Sequence, residues 1–192
     1  NQKSAISRTE WESLAIEGKP KLKGPLYMGV KFGHDTSNVS VSVAVKTDDD
    51  KIFVEAVDCR PYREGVEWIV DLIRSADVKA VGVDGDSGKQ ILIDTIKRAK
   101  IRPIPQAFKT GDVVTACGLF EQGIETATIC HSNQPALTQV VSNCEHRHIG
   151  NGGGFGYKSQ LAGADISLLE SATIAHMMCV ESREIKQQTI SY

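Results

Sequence analysis

The apolar pattern changes its period once along the chain. Over residues 39–46 (VSVSVAVK), Val39, Val41, Val43 and Val45 alternate with Ser40, Ser42, Ala44 and Lys46, the two-residue period of a strand with one buried face. Apolar segments at 26–32 and 52–58 flank it, and the stretches 33–38 and 47–51 are short enough to close an antiparallel meander. After Arg60 the period lengthens: Val66, Ile69, Val70 and Ile73 recur at helical spacing. The run from Val78 to Val83 then reads as a buried strand that ends in Asp84, and Ile91, Leu92, Thr95, Ile96 and Ala99 mark one face of a second helix. Pro103 and Pro105 restrict their segment to a short strand or a sheet edge, because proline cannot donate to a central ladder. Asp112 is placed to cap a further helix, and Leu168, Leu169, Ala172, Ile174, Ala175 and Met178 outline a last one.

An antiparallel meander followed by alternating helices and parallel strands is the element order of an α/β, ribonuclease H-like mixed sheet flanked by helices. At 192 residues, 41% apolar and 24% charged, the chain predicts one soluble domain with a substantial core. No apolar run reaches membrane-spanning length and nothing resembles a secretory signal, so no membrane partner is expected. The five cysteines are scattered without a CxxC pair, which argues for a reducing compartment, against a zinc site, and for thiols that act as small apolar fillers. A formal net charge of −2 does not advertise nucleic-acid binding, although the field that matters is local. Residues 1–24 read as a polar linker or arm with Ser7 and Glu10 at capping-box spacing, 25–182 as the domain, and 183–192 as a tail.

Asp84 is the foremost candidate for chemistry, since it ends a buried strand and opens the loop Gly85-Asp86-Ser87-Gly88. Asp86 either offers a second oxygen to the same ligand or serves as a turn or cap residue. Asp165 is either a ligand or the N-cap of the last helix. Asp35, in the turn after the first strand, reads by itself as a turn residue, and Glu145 and Asp112 as surface or capping groups. The glycine-rich tract 148–158 lacks GxGxxG spacing and predicts a hairpin tip, either a bare solvent-facing turn or a loop whose Arg147, Tyr157 and Lys158 reach a DNA backbone. The five histidines form no ligand set; His34 is the one near the expected site.

Taken in order, 26–35 (LYMGVKFGHD), 81–84 (VGVD), 118–125 (GLFEQGIE), 131–137 (HSNQPAL), Lys158 and 164–175 (ADISLLESATIA) resemble the C-terminal nuclease domain of tailed-phage terminase large subunits. The opening ISRTEW is similar to the stretch that leads from that family's ATPase domain into its nuclease. The resemblance implies a ribonuclease H-like fold that cuts concatemeric phage DNA with two divalent ions, Mg²⁺ or Mn²⁺, held by acidic residues. It implies Asp84 and Asp165 as catalytic and metal-binding residues and Lys158 as a phosphate contact; beside them, Asp35 is a candidate catalytic and metal-binding residue and Asp86 a candidate metal ligand from the adjoining loops. It further implies double-stranded DNA, an ATPase domain in the same full-length chain, a small terminase subunit and a portal protein as partners in the host bacterial cytoplasm.

One position departs from the pattern. The family carries an aspartate on the first strand in a Gly-Val-Asp-Phe-Gly-like context, and here Lys31 stands at that position. Three readings stay open: Asp35 supplies the missing oxygen, Lys31 places an ammonium where a metal would sit, or the domain is inactive, naturally or by design. Two further functional classes follow from the same residues. One is a non-catalytic DNA-binding or assembly module on this fold. The other is an actin-like ATP-binding phosphotransferase fragment, although the run from Gly82 to Gln90 has five residues between its outer glycines and Gln90 where a P-loop needs Ser or Thr.

Overall fold

The computed structural model describes residues 3–34, 37–86 and 88–190, and the side chains of 183–190 lie outside that description. The meander forms as the pattern predicts: β1 (Leu22–Phe32), β2 (Asn38–Thr47) and β3 (Ile52–Pro61) pair antiparallel in sequence. Helix α2 (Glu67–Ser75) then leads into β4 (Val78–Asp84), which pairs parallel with β1, and α3 (Lys89–Ala99) leads into the two-residue β5 (Gln106–Ala107). Beyond α4 (Thr110–Glu125), β6 (Ile129–Cys130) closes the other edge, giving the order β5-β4-β1-β2-β3-β6. The predicted edge strand therefore falls just after the prolines, at Gln106 and Ala107.

The remaining elements are α1 (Arg8–Ser13), α5 (Pro135–Val141), the hairpin β7 (Cys144–Ile149) with β8 (Gly154–Ser159), and α6 (Ser167–Ile190). The sheet divides two cores. One face, with Met28, Val30, Val39, Val41, Val43, Val81 and Val83, packs on α2 and α3. The other, with Tyr27, Ala44 and Val54, packs on α4, α5 and α6.

Strand β2 is buried on both faces, which its alternation alone does not predict. Its serines face a helix instead of water: Ser40 Oγ lies 2.7 Å from Ser167 Oγ, and Ser42 Oγ 2.7 Å from Ser171 Oγ, both on α6. Small hydroxyl residues let the helix lie close to the strand while keeping each buried polar group paired.

The approach is closest at β1 and β4. Gly29 and Gly82 are partners in the parallel register. A Cβ on Gly29 would overlap the Ser171 carbonyl oxygen and stand 2.5 Å from the Ala175 nitrogen, and one on Gly82 would stand 2.7 Å from Ile174 Cγ2. Two residues further along the same face, the register pairs Lys31 with Asp84.

Part of the N-terminal segment, read from sequence as a linker or arm, packs into the core. Ser7 caps α1 by accepting the Glu10 N–H, and Ile6 and Trp11 are buried. The Trp11 indole stacks on His131 with ring centroids 3.9 Å apart and donates to Thr138 Oγ1 at 3.1 Å. At the other end, the helix runs on from the domain to Ile190, through most of the stretch read as a tail. Asp112 lies within the first turn of α4, where Oδ2 accepts the Lys109 N–H at 2.8 Å.

The glycine contact predicts opposite outcomes at two positions. Gly29→Ala forces backbone apart and is expected to destabilise the domain by about 3 kcal/mol or more. Gly118→Ala, in α4 with nothing within 4 Å of the added carbon, is expected to stabilise it by about 0.5–1 kcal/mol. Urea denaturation of the two variants checks both signs; a neutral Gly29→Ala would refute the close crossing.

Candidate active site

The cluster sits where the parallel strands end. Alternation along β1 puts Val30 and Phe32 into the α2/α3 core and so turns Lys31 toward α6; on β4, Val83 and Asp84 divide in the same way. Lys31 is only 5% exposed, and its ammonium lies 2.7 Å from Asp84 Oδ2 and 3.5 Å from Glu170 Oε2. Glu170 comes from the first turn of α6, three residues after Ser167 and next to Ser171, the two serines that hold the helix against β2.

The electrostatics follow from burial and charge pairing. Burial opposes the charge on Lys31, but Glu170 and Asp84 together outweigh it and hold its pKa above the ordinary lysine value. Burial pushes the Glu170 carboxyl up to about 7, aided by the Asp84 charge, while Lys31 pulls the other way. Its Oε1 is buried with no hydrogen-bond partner among the described residues. His34, whose Nε2 lies 4.0 Å from Glu170 Oε2, is held below its ordinary pKa by burial and by the charges of Lys31 and Arg147.

Above this cluster opens a cleft of about 390 Å³ lined by Lys31, His34, Asp84, Asp86, Lys89, Lys109 and Arg147, among others. The loop after β4 is shaped by glycine: Gly85 has φ 120°, and a Cβ there would stand 2.6 Å from Phe32 Cβ. Asp84 and Asp86 thus reach the same cleft, Asp86 as an exposed group.

Several predicted site residues lie elsewhere. Asp165 is absent from the cleft lining; Oδ1 accepts the Ser167 N–H at 2.6 Å and Oδ2 accepts from Asn38 Nδ2 at 2.8 Å, so it caps the start of α6 and ties it to β2. Tyr157 is buried, 1% exposed, and its hydroxyl donates to Glu121 Oε2 at 2.5 Å; in this position it has no face for a DNA backbone. Lys158 is exposed but pairs with Glu145 at 3.1 Å, outside the cleft. Arg147, across from Gly156 in the hairpin, is the member of that trio that reaches the cleft. Asp35 lies outside the described residues.

Glu170 is the residue that sequence reasoning missed. Its signal is legible in retrospect: between Asp165 and Glu181 it is the only Asp, Glu, Lys or Arg, one charge on an otherwise uncharged helical face. Lys89 and Lys109 were missed as well, because only the fold brings the start of α3 and the start of α4 to one cleft.

A divalent cation does not fit this donor set as it stands. Asp84 and Glu170 both already face the Lys31 ammonium, and among the described residues no group of three or more His, Cys, Asp or Glu side chains comes together as a metal cage. A dication about 4 Å from the ammonium would meet a repulsion of about 8 kcal/mol at an effective dielectric of about 20.

No protein-family model matches the sequence, and no curated protein matches it. Solved structures do match the fold. The crystal structure of the HK97 bacteriophage large terminase superimposes with a TM-score of 0.65 at 16% identity, over 88% of this chain and 42% of that one, so this chain spans less than half of that protein. The large terminase nuclease from thermophilic phage G20c, also solved with bound magnesium, gives 0.63 at 12% identity over 92% of this chain and 98% of that one. The large terminase nuclease domain from bacteriophage SPP1 with bound Mn gives 0.52 at 14% identity over 92% and 93%. These likenesses establish the ribonuclease H-like mixed sheet that the element order predicts.

The raised pKa of Glu170 makes a signed prediction. Its folded value of about 7 exceeds its ordinary 4.5, so its contribution to stability is fully present below the lower value and is lost as pH rises through the higher one. The unfolding free energy is expected to fall by about 3 kcal/mol across that window, and Glu170→Gln to remove most of this fall. Equal pH profiles for the two proteins would show that Glu170 is not held protonated.

Proposed function

We propose that this chain is the DNA-cleaving domain of a phage genome-packaging terminase, with its cleavage centre locked by Lys31. The observation that carries this reading is the set of Lys31, Asp84 and Glu170 at the ends of β1 and β4 beneath α6, on a fold shared with terminase nucleases. Two acidic groups from separate elements converge on one point, which is what phosphodiester hydrolysis by a divalent ion requires of a protein. Neighbours solved with bound magnesium and with bound Mn support Mg²⁺ or Mn²⁺ as the ion once the ammonium is gone; two ions would be the number that two-metal phosphodiester hydrolysis uses.

In that role a cation would supply Lewis acidity and lower the pKa of an attacking water. Asp84 and Glu170 would hold it, with Asp86 on the same cleft as Asp84 and Asp35 a further candidate by its sequence position after β1. Asp165 would act through α6, fixing the turn that carries Glu170. The substrate would be double-stranded DNA. The partners would be an ATPase domain in the same full-length chain, a small terminase subunit and a portal, in the host bacterial cytoplasm. Among the described residues no helix is long and apolar enough to cross a membrane.

A second reading, a DNA-binding module that does not cut, is favoured by one observation: the ammonium is paired with two carboxylates and buried, so it is a built part of the site.

Plasmid cleavage by three proteins separates the two. The unaltered chain is expected to leave supercoiled DNA intact in Mg²⁺ or Mn²⁺, Lys31→Asp to nick and linearise it, and Lys31→Asp with Asp84→Asn to be inert. Failure of the folded Lys31→Asp protein to cut in either metal would overturn the nuclease reading in favour of the binding module.

A further inference from the structure

The cleft has more cations than carboxylates on its walls. Lys31, Lys89, Lys109 and Arg147 stand against Asp84 and Asp86, in a chain whose formal net charge is −2. Glu170, which is not part of the lining but pairs with Lys31, lowers that excess by one and leaves the remaining walls basic. Lys31 is already matched by Asp84 at 2.7 Å and by Glu170 at 3.5 Å, so the carboxylates that would attract a cation are satisfied. Lys89, Lys109 and Arg147 are then opposed only by the exposed Asp86 among the charged groups of the lining.

Two of these groups have defined surroundings. Lys89 Nζ donates to the Phe108 carbonyl at 3.1 Å, which leaves two of its three donors free of that bond. Arg147 lies across Gly156, where a Cβ would stand 3.0 Å from its Nη2, and its Nε is buried with no partner among the described residues. Lys109 immediately precedes the 16-residue helix α4, whose Thr110 and Val113 line the same cleft. A guanidinium and two ammonium groups on the walls of one cleft are the donor types that recognise phosphate oxygens.

We propose that the cleft binds a backbone phosphate of DNA directly on Lys89, Lys109 and Arg147, without a divalent cation, next to the acidic pair that Lys31 already engages. The inference rests on the terminase reading only for the choice of DNA as the source of the phosphate. Lys31 thereby offsets, by direct pairing, part of the negative charge of Asp84 and Glu170 that would repel a phosphate. The cleft is an anion receptor built on a cation-binding scaffold.

The test is fluorescence anisotropy of a short labelled duplex in EDTA and in Mg²⁺ at matched ionic strength. The wild-type protein is expected to bind equally in both. Lys109→Gln combined with Arg147→Gln is expected to weaken binding about tenfold or more and to lower the slope of log affinity against log salt by about 2. Lys97→Gln, at the far end of α3, is expected to bind as wild type. Lys109→Gln alone, at an exposed side chain, keeps the experiment readable should the double variant unfold, with a loss of about threefold and a slope change of about 1. Millimolar inorganic phosphate is expected to compete with the duplex.

Binding that appears only with metal, or cleft variants that bind as wild type, would overturn the proposal. Inorganic phosphate or ATP bound through Lys109 and Arg147, with no duplex binding, would overturn DNA as the source. The nuclease reading stands or falls separately, on cleavage by Lys31→Asp.

Discussion

Helix α6 crosses the sheet at backbone contact, and the position of every charged group in the cluster depends on that distance. Facing glycines at 29 and 82 open the space, and serines at 40, 42, 167 and 171 fill the adjacent crossing with paired hydroxyls instead of bulk. A larger residue at any of these points would hold the helix further from the sheet. With the helix at this distance, the short side chain of Glu170 reaches the Lys31 ammonium, and the parallel register of β1 and β4 delivers Asp84 to its other side.

The same closeness makes the cluster electrostatically exacting. Two carboxylates brought together out of water repel each other and each loses its hydration, so a cation has to stand between them. In this chain the cation is a side chain. Lys31 is covalently fixed and almost fully buried, and the mutual pairing is what allows Lys31 and Glu170 to remain buried while Asp84 stands at the cleft. Glu170, the most deeply placed of the acids, still shows the strain of that location in its raised pKa and in the unpaired Oε1. The outward consequence is a cleft whose walls are left basic, although the chain as a whole is slightly acidic.

The hairpin and the N-terminal segment show how the fold reassigns polar residues that sequence spacing treats as equivalent. Arg147, Tyr157 and Lys158 all lie near one glycine-rich tract, yet the two-residue period of a strand sends Tyr157 into the core to meet Glu121 and leaves Lys158 outside with Glu145. Only Arg147 reaches the cleft. In the same way Ile6 and Trp11, which sit in a polar stretch that reads as a linker, are anchors, because α5 and His131 offer an apolar slot and a ring to stack on.

The sequence by itself determined the element order, the antiparallel meander and the strand-end position of Asp84, because periodicity and strand ends are local properties of a chain. It also held a faint mark of Glu170, a lone charge on an uncharged helical face. Tertiary structure alone decided that Glu170 and not Asp165 joins Lys31 and Asp84, since that choice turns on the rotation and height of α6 over two glycines far away in sequence. It alone decided that β2 is buried on both faces and that Lys89, Lys109 and Arg147 share one cavity. Contacts between elements distant in sequence leave no period along the chain, and the charge of a site is a sum over such contacts.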